Sequence, residues 1–479
     1  MIGISNEDFR IVLKDVGDLL LYSSPAYLIP LIVSVAFLEP LSNALAFFAS
    51  GTASALLGLV FKFFGKTQEH ALQRQALFVT GVVWLLFTLI ASIPFVYISG
   101  LAPLHAYFEA MSMLTTTGIT MFGQELNDQP HSIVFWRSFL GWVGGIGIII
   151  LALVGVLGAY VRSAKLSEAE GREERLRPHI LNTLHEIWSI YAIATGIGVV
   201  LLVLLGMDAF SALNYAMSGI ATNGAAPTHE GLRAFNSIGV EIVLLLLMVF
   251  GGIGFRSHYL ALKKGQAQEY WENPEIRIFF LIMLLGALME VPELGLRYGV
   301  FHGVSSATSG GFNVVTPEET ENLSDFSKLA MAFLMIIGGT IGSTAGGLKI
   351  ARFAILAKSL WWKVKESILP EEVYFRREFG DQNISPETLN SVYSLSLAWM
   401  AILMASSLVL VAEGAHAVDA MYEASSAMAN VGLSTGISHQ GMPFWSEVSL
   451  ILAMWLGRLE IIPVFAIIAF FYYYRKPLE

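Results

Sequence analysis

The stretch Glu109-Ala-Met-Ser-Met-Leu-Thr-Thr-Thr-Gly118 recurs in related form three times further along the chain, and this repetition indicates how the chain is organised. The related stretches are Tyr215-Ala-Met-Ser-Gly-Ile-Ala-Thr-Asn-Gly224, His302-Gly-Val-Ser-Ser-Ala-Thr-Ser-Gly-Gly311 and Glu423-Ala-Ser-Ser-Ala-Met-Ala-Asn-Val-Gly432. When they are aligned on the last Gly, each copy has a Ser six residues earlier. The third copy can also be aligned on Gly310, but Ser305 and the following Phe312 favour Gly311.

A second glycine motif follows each copy at a nearly constant distance. Its four versions are Gly144-Gly-Ile-Gly147, Gly251-Gly-Ile-Gly254, Gly338-Gly-Thr-Ile-Gly342 and the degraded Trp455-Leu-Gly-Arg458. A single Gly pair in a membrane helix is more often a close packing contact than a functional element. The constant spacing between the two motifs is not expected by chance, and it indicates four copies of one structural unit.

The composition indicates a polytopic membrane protein. Of the 479 residues, 14% are charged and 55% are hydrophobic, whereas soluble domains contain roughly 25% charged residues. The net charge of -10 argues against nucleic acid as a partner. The absence of Cys excludes disulfides, thiolate metal sites and Cys nucleophiles. The polar, acidic start of the chain (1–18) does not resemble a cleaved signal, so the first helix is expected to remain in the mature protein.

A membrane-crossing helix needs about 20 apolar residues. Ten spans are predicted, at 22–38, 42–61, 77–99, 132–160, 185–206, 236–262, 276–292, 327–357, 391–413 and 446–474. Four shorter apolar stretches, suited to helices that enter the membrane and turn back, lie at 103–114, 208–220, 297–307 and 416–428. With the N-terminus in the cytoplasm, most Lys and Arg residues lie on the inner side, as the positive-inside rule requires. The exceptions are Arg137, Arg233, Arg297 and Lys328 on the outer side and Arg458 within a span.

We therefore predict an all-α polytopic membrane protein with both termini in the cytoplasm. Two N-terminal helices (1–75) precede four helix–pore loop–helix repeats at 76–165, 166–265, 266–385 and 386–479. The repeats run in the same direction, because two spans separate each loop from the next. Parallel copies of one unit suit a pseudo-fourfold arrangement around one pore, with the four loops at its centre.

The four loops suit a cation. Backbone carbonyls can replace the hydration shell of K+, and successive carbonyls face the same way only where some residues adopt φ > 0, which Gly permits. A single loop of this kind is more simply interpreted as an outer turn that contains a Gly. Four such loops in register are not explained in that way. The hydroxyl groups available as ligands or braces belong to Thr115, Thr116, Thr117, Thr308 and Ser309. The outer acidic residues, which either attract cations or form a solvated face, are Glu125, Asp128, Glu230, Glu318, Glu319, Glu321 and Asp325.

The eighth span is interrupted by five Gly residues between 338 and 347. Each costs about 1 kcal/mol relative to Ala in a helix, so a broken helix with a flexible loop at mid-membrane is expected. Below the central loops this segment could act as a gate, and a tightly packed helix crossing is the alternative. Lys349 and Arg352 would then lie near the inner mouth of the pore.

Arg458 lies near the middle of the last span, where an Arg is costly unless it faces a cavity or a partner. We expect it to point into the pore as an electrostatic barrier or to bind the gate segment. Pairing with Glu460 is the structural alternative, but residues two apart on a helix do not face each other.

Motifs of soluble enzymes are missing: the chain has no GxxxxGK[ST], no HExxH and no GxGxxG after a strand, so we do not expect an enzyme. An alternating-access carrier is the main alternative within transport, but it predicts inverted repeats. A membrane scaffold or a membrane enzyme would not need four Gly loops in register.

These motifs resemble the Trk/Ktr/HKT superfamily of potassium transporters, and most closely its Trk-type membrane subunits. The resemblance covers nearly the whole chain, and the two additional N-terminal helices are similar to the Trk branch. It rests on Thr115-Thr-Thr-Gly118, Thr222-Asn-Gly224, Thr308-Ser-Gly-Gly-Phe-Asn313, Asn430-Val-Gly432, the motif Gly-Ser-Thr-Ala-Gly-Gly-Leu-Lys at 342–349, and Arg458.

The resemblance implies uptake of K+ and Rb+ across a prokaryotic inner membrane, without an organic cofactor. It further implies a homodimer in membrane lipid, with one pore per protomer and a cytosolic TrkA-type nucleotide-binding regulatory subunit. The implied K+ filter positions are Thr116, Thr117, Gly118, Thr222, Asn223, Gly224, Ser309, Gly310, Gly311, Asn430, Val431 and Gly432. The implied gate positions are Gly338, Gly339, Gly342, Ser343, Thr344, Gly346, Gly347, Lys349 and Arg458.

Two alternatives within the superfamily stay open, a Na+-permeable pore and a symporter coupled to H+ or Na+. Ala221 and Ala429 stand where the first loop has Thr115, so a hydroxyl ring at that level cannot be fourfold.

Overall fold

The computed structural model describes residues 6–67, 73–147, 176–370, 376–380 and 382–475. These ranges are mainly helices joined by loops, with a small antiparallel hairpin of β1 (Glu378–Phe379) and β2 (Gln382–Asn383). The end of the fourth predicted span and several basic residues used to orient the chain lie outside the described residues. These basic residues are Arg162, Lys165, Arg172, Arg175 and Lys476.

The chain starts with a helical hairpin. Helices α1 (Asn6–Ser23) and α2 (Leu28–Ala36) are joined by a 3-10 turn, and α3 (Leu41–Phe64) returns along them. Helix α1 begins well before residue 22, where the first span was predicted, because Val12, Val16 and Leu20 form an apolar face that is buried in the core. A Cβ atom built on Gly17 would lie 2.7 Å from the carbonyl oxygen of Gly58. The backbones of α1 and α3 therefore approach each other closely.

The first two predicted repeats contain eight described helices or parts of helices. The first repeat has α4 (Gln73–Ala91), α5 (Ile93–Tyr97), α6 (Pro103–Leu114) and α7, which begins at 131 and is described as far as 147. The second has α8 (Leu176–Leu204), α9 (Ala209–Ile220), α10 (Ile238–Gly252) and α11 (Phe255–Lys263), and α12 (Glu269–Glu272) begins the third.

The last two repeats continue the same pattern. The third has α13 (Pro274–Ala307), α14 (Pro317–Glu321), α15 (Asp325–Ile337) and α16 (Ile350–Ile368). The fourth has α17 (Pro386–Ala412), α18 (Ala417–Met428), α19 (Phe444–Arg458) and α20 (Ile462–Arg475). Helix α13 is two helices joined at Gly295, whose φ of 76° is not helical. The four short predicted stretches thus correspond to α6, α9, the part of α13 after Gly295, and α18.

Six helical segments in the described ranges are long and apolar enough to cross a membrane, and two bent helix pairs raise this to eight if each pair is one span. The two pairs are α10 with α11, bent by 99°, and α19 with α20, bent by 102°. The other two predicted spans are α7, described only in part, and the segment of α15 and α16, which a loop at 338–349 interrupts. The interruption predicted in the eighth span is therefore present.

The two bends correct the predictions of continuous spans at 236–262 and 446–474. At the first bend, the N–H groups of Gly254 and Phe255 bond to the 338–349 loop instead of to their own helix. At the second, Glu460 and Ile461 have φ values of 55° and 69°, which end the helix. Both breaks depend on local backbone conformations and distant partners that hydropathy does not report.

Large apolar side chains face outward on most of the long helices. Examples are Ile32 (63% exposed), Leu204 (77%), Leu288 (61%) and Leu397 (74%). Contiguous exposed apolar faces are rare on soluble proteins and mark contact with lipid or a partner. By contrast, the polar residues at the start of the loops that follow α6, α9, α13 and α18 are buried.

Candidate functional site

Four loops follow α6, α9, α13 and α18 and contact one another. We call them the central loops and define them as 115–118, 221–224, 308–311 and 429–432. A Cβ atom built on the last Gly of each loop would collide with the backbone of the next loop. The pairs are Gly118 with Asn223, Gly224 with Gly311, Gly311 with Val431 and Gly432 with Thr117, at 1.8, 2.5, 1.8 and 2.3 Å. The contacts close a ring in chain order, which fits the expected pseudo-fourfold arrangement.

The four central loops share one backbone conformation. The last Gly of each has positive φ, with values of 84° at Gly118, 70° at Gly224, 71° at Gly311 and 110° at Gly432. The residue two before it is also left-handed, with φ of 55° at Thr116, 50° at Thr222, 54° at Ser309 and 51° at Asn430. Positive φ is uncommon outside Gly, so its recurrence indicates a backbone held by its surroundings. The third loop therefore has its register on Gly311 rather than on Gly310.

The Ser that precedes each last Gly by six residues ties the loop to its short helix. Its carbonyl oxygen accepts a hydrogen bond from the N–H of the residue before the last Gly. These bonds join Ser112 to Thr117 (2.8 Å), Ser218 to Asn223 (2.9 Å), Ser305 to Gly310 (2.8 Å) and Ser426 to Val431 (2.9 Å). The hydroxyl groups of Ser112 and Ser305 also donate to the carbonyls of Ile119 and Phe312, at 2.5 and 2.7 Å. The spacing of six residues between Ser and Gly thus corresponds to a hydrogen-bonded turn that is repeated in all four loops.

A cavity of about 200 Å³ opens beside the ring. All four last Gly residues line it: Gly118, Gly224, Gly311 and Gly432. Of the acidic residues predicted to attract cations, Glu230 and Glu318 also line this cavity. All four loops therefore border one cavity.

Sequence reasoning missed a set of side chains that tie the segment after each loop to the short helix before it. In three repeats, the side chain nine residues before the last Gly accepts from the N–H three residues after it. The pairs are Glu109 with Met121 (2.8 Å), His302 with Val314 (3.3 Å) and Glu423 with Thr435 (3.0 Å). All three side chains are buried. The repeat alignment contains this position, and three of its four residues there are Glu or His.

The hydroxyl groups of the loops divide into two sets. The hydroxyl group of Thr115 donates to the carbonyl of Met111 at 2.7 Å and lies 2.8 Å from the hydroxyl group of Thr117. The hydroxyl group of Thr308 donates to the carbonyl of Val304 at 2.8 Å. These three are braces, so the Ala residues that replace Thr115 in loops two and four remove no ring of ligands. The hydroxyl groups of Thr116 and Ser309 are buried without a protein partner among the described residues.

The 338–349 loop is docked against the bend between α10 and α11. The N–H of Thr344 donates to the carbonyl of Gly251 at 3.0 Å, and that of Thr340 donates to Gly252 at 3.1 Å. In return, the N–H of Gly254 donates to Oγ1 of Thr340 at 2.6 Å. Hydrogen bonds from this loop thus satisfy the backbone groups that the bend exposes.

The 338–349 loop also touches the central loops. The Thr344 hydroxyl donates to the carbonyl of Ile220 at 3.0 Å and lies 3.1 Å from the hydroxyl of Thr222. A Cβ atom on Gly346 would lie 1.9 Å from the carbonyl oxygen of Ala429. The loop therefore packs directly under loops two and four.

Arg458 is buried, and its guanidinium donates to the carbonyls of Thr344 at 2.7 Å and Gly144 at 3.0 Å. It therefore contacts the 338–349 loop, one of the two roles expected for it. Glu460 pairs with Arg352 instead. Lys349 is buried as well, and its ammonium group donates to the carbonyl of Ala345.

The second glycine motif serves close packing in three repeats. Cβ atoms built on Gly144, Gly251 and Gly457 would lie 1.8, 2.4 and 1.9 Å from carbonyl oxygens at the ends of the short helices. In the third repeat the same place in the chain begins the 338–349 loop. The constant spacing between the motifs therefore reflects one repeated contact, and the third repeat departs from it.

Comparisons with known proteins agree with this architecture. The family model TrkH, described as a cation transport protein, matches residues 44–291 and 295–471. An uncharacterised cation transporter of Methanocaldococcus jannaschii is 29% identical, over 98% of this chain and 97% of its own length. The Trk system potassium uptake protein TrkH of Escherichia coli is 26% identical, over 95% of this chain and 97% of its own length.

A solved structure is similar as well. The crystal structure of the potassium transporter TrkH from Vibrio parahaemolyticus matches with a TM-score of 0.83 at 26% identity, covering 95% of this chain and 98% of that chain. The predicted resemblance to Trk-type membrane subunits is confirmed, and these relatives are transporters rather than enzymes. This multi-pass membrane protein belongs to the TrkH family of cation transport proteins.

Proposed function

We propose that this protein takes up K+ across the cytoplasmic membrane of a prokaryote, with the central loops as its selectivity filter. The observation that carries the proposal is the ring of four loops with positive φ at the same two positions. Carbonyls arranged in rings replace the hydration shell of K+. The filter residues are 116–118, 222–224, 309–311 and 430–432. Relatives named as potassium uptake proteins support K+ as the transported ion.

The 338–349 loop is the gate in this proposal. Its residues Gly338, Gly339, Gly342, Ser343, Thr344, Gly346, Gly347 and Lys349 act together with Arg458. Support comes from its position under loops two and four and from its attachment through hydrogen bonds. A segment held mainly by hydrogen bonds, each contributing about 1 kcal/mol net, is released at modest cost.

The remaining assignments follow from the family resemblance and from charge. Both termini lie in the cytoplasm, as the distribution of Lys and Arg favours. The repeats occupy 76–165, 166–265, 266–385 and 386–479, after the N-terminal hairpin. The protein forms a homodimer, and a cytosolic TrkA-type nucleotide-binding subunit controls the gate.

The test is uptake of radioactive Rb+ into liposomes that contain the purified full-length protein, with excess unlabelled K+ or Na+. We expect K+ to block uptake and Na+ to have little effect. Gly118→Ser should reduce both uptake and discrimination, because its Cβ atom would lie 1.8 Å from a carbonyl oxygen of the ring.

Gly100→Ser is the matched control. Gly100 also has a positive φ, of 71°, but no atom lies within 4 Å of its Cβ position. Equal inhibition of Rb+ uptake by Na+ and K+ would contradict K+ selectivity and would indicate a Na+-permeable pore instead. Absence of uptake even after addition of the cytosolic subunit would contradict the proposal as a whole.

A further inference from the structure

The second central loop lacks the tether that the other three share. The residue three positions after Gly224 is Pro227, which has no N–H to donate. The residue nine positions before Gly224 is Tyr215, where the other repeats have Glu or His. The bond that holds loops one, three and four to their own short helices therefore cannot form in the second repeat.

Arg137 on α7, in the first repeat, reaches the segment that follows Gly224. Its Nη1 donates to the carbonyl oxygen of Ala226 at 2.9 Å, and its Nε donates to Oε1 of Glu109 at 2.7 Å. The Arg137 and Glu109 side chains are only 2% and 0% exposed. One guanidinium group thus joins the outer ends of the first and second loops.

The positive charge of the Arg137 guanidinium is neutralised beside the cavity that a cation would enter. Arg137 lines the cavity that the four loops share, where an unpaired positive charge would repel an entering cation. Glu109 neutralises it while still accepting from the N–H of Met121. In the fourth repeat, Glu423 makes the equivalent bond to Thr435, but it receives its further hydrogen bonds from Ser434 and Ser438, without an Arg. Among the described residues that occupy this position of the repeats, the ion pair with an Arg is found where the first and second repeats meet.

We propose that Arg137 is a positioning residue of the filter. It takes the place of the tether that Pro227 removes, and it sets the spacing between loops one and two on which discrimination between K+ and Na+ depends. This inference rests on the proposed function of the central loops as a K+ filter. Arg suits the role because its planar fork donates in two fixed directions, whereas the ammonium of Lys is a single point charge.

The test compares Na+ with K+ as competitors of radioactive Rb+ uptake by the full-length protein in liposomes. Arg137→Lys keeps the charge but loses the fork, and Arg137→Gln removes the charge. We expect both to lower the ratio of the half-inhibiting Na+ and K+ concentrations about tenfold, within the range of coupling between contacting residues. The ratio distinguishes positioning from general damage, because fewer working molecules lower total uptake without changing selectivity.

Arg233→Gln is the matched control, since Arg233 pairs with Glu319 and both side chains are nearly half exposed. It should keep the wild-type ratio. A wild-type protein that does not discriminate would refute the proposed function itself. A discriminating wild type with unchanged ratios in both Arg137 variants would overturn only the role of Arg137. Failure of both variants to elute as folded protein would also overturn it, because the pair would then serve folding.

Discussion

The carbonyl oxygen of Thr344 accepts a 2.7 Å hydrogen bond from Nη1 of Arg458, although the two residues lie in different repeats. The same guanidinium donates to Gly144 of the first repeat. The N–H of Thr344 in turn donates to Gly251 of the second repeat. The 338–349 loop of the third repeat is therefore bonded directly to the second and fourth repeats, and Arg458 links it to the first.

Replacing Arg458 by Gln should release the 338–349 loop. Each lost hydrogen bond to a charged group is worth roughly 1.5–3 kcal/mol, so we expect Rb+ uptake without the cytosolic subunit to rise about tenfold or more. Arg458→Lys, which keeps the charge, should give an intermediate rate and so separate the loss of the bonds from the loss of an electrostatic barrier. Arg277→Gln, at an exposed position, is the control. Unchanged uptake in Arg458→Gln would contradict the gate role.

Thr344→Val removes a hydroxyl group that donates under the second central loop, at nearly constant volume. The loss of about 1 kcal/mol of attachment should raise basal uptake severalfold without changing the preference for K+. Thr52→Val is the control, because the hydroxyl of Thr52 is exposed and bonds only within its own helix, to Phe48. A loss of K+ preference in Thr344→Val would show that the residue shapes the filter rather than the gate.

Gly457→Ala should destabilise the protein, because the new methyl group would lie 1.9 Å from the carbonyl oxygen of Met428. Overpacking of this kind costs roughly 1–3 kcal/mol, which thermal unfolding in detergent would detect. Gly196→Ala is the matched helical control, since no atom lies within 4 Å of its Cβ position. Equal melting temperatures for the two variants would show that the second glycine motif is not a packing contact.

Acid should loosen the short helix α14. The N–H of Thr316 and then the Arg233 guanidinium hold the pKa of the Glu319 carboxyl below its ordinary value of 4.5. A lowered pKa means that the stabilisation is complete above pH 4.5 and is lost as the pH falls through the lower pKa of the folded state.

Hydrogen exchange of residues 316–321 should therefore be slower in the wild type than in Glu319→Gln at neutral pH. The difference should disappear in acid. A difference that stays constant as the pH is lowered would mean that the Glu319 charge does not stabilise the helix.

The repeats could be predicted because their signals are local. Ser112 and Gly118 belong to one turn, so the same spacing is found in every copy. The Gly residues clustered at 338–347 disfavour a helix through their own conformational freedom, without a distant partner. The bend between α10 and α11 could not be predicted in the same way. Its free N–H groups are satisfied by Thr340 and Gly342, which are far away in the chain. The tether from Glu109 to Met121 was missed for a different reason, since the alignment contains the position but hydropathy does not reveal the bond.

The membrane class, the four units and the place where the eighth span breaks could be predicted from the sequence alone, because apolar length and glycine clustering act within one segment. The partners of the buried charged side chains depend on the three-dimensional fold. Arg458 could have faced Glu460, but the helix ends at that point and Glu460 turns to Arg352. Arg137, predicted only as an outer basic residue, instead joins two loops. An unpaired buried charge costs more free energy than local helix preferences contribute. The partner of such a charge is therefore set by the packing of distant segments.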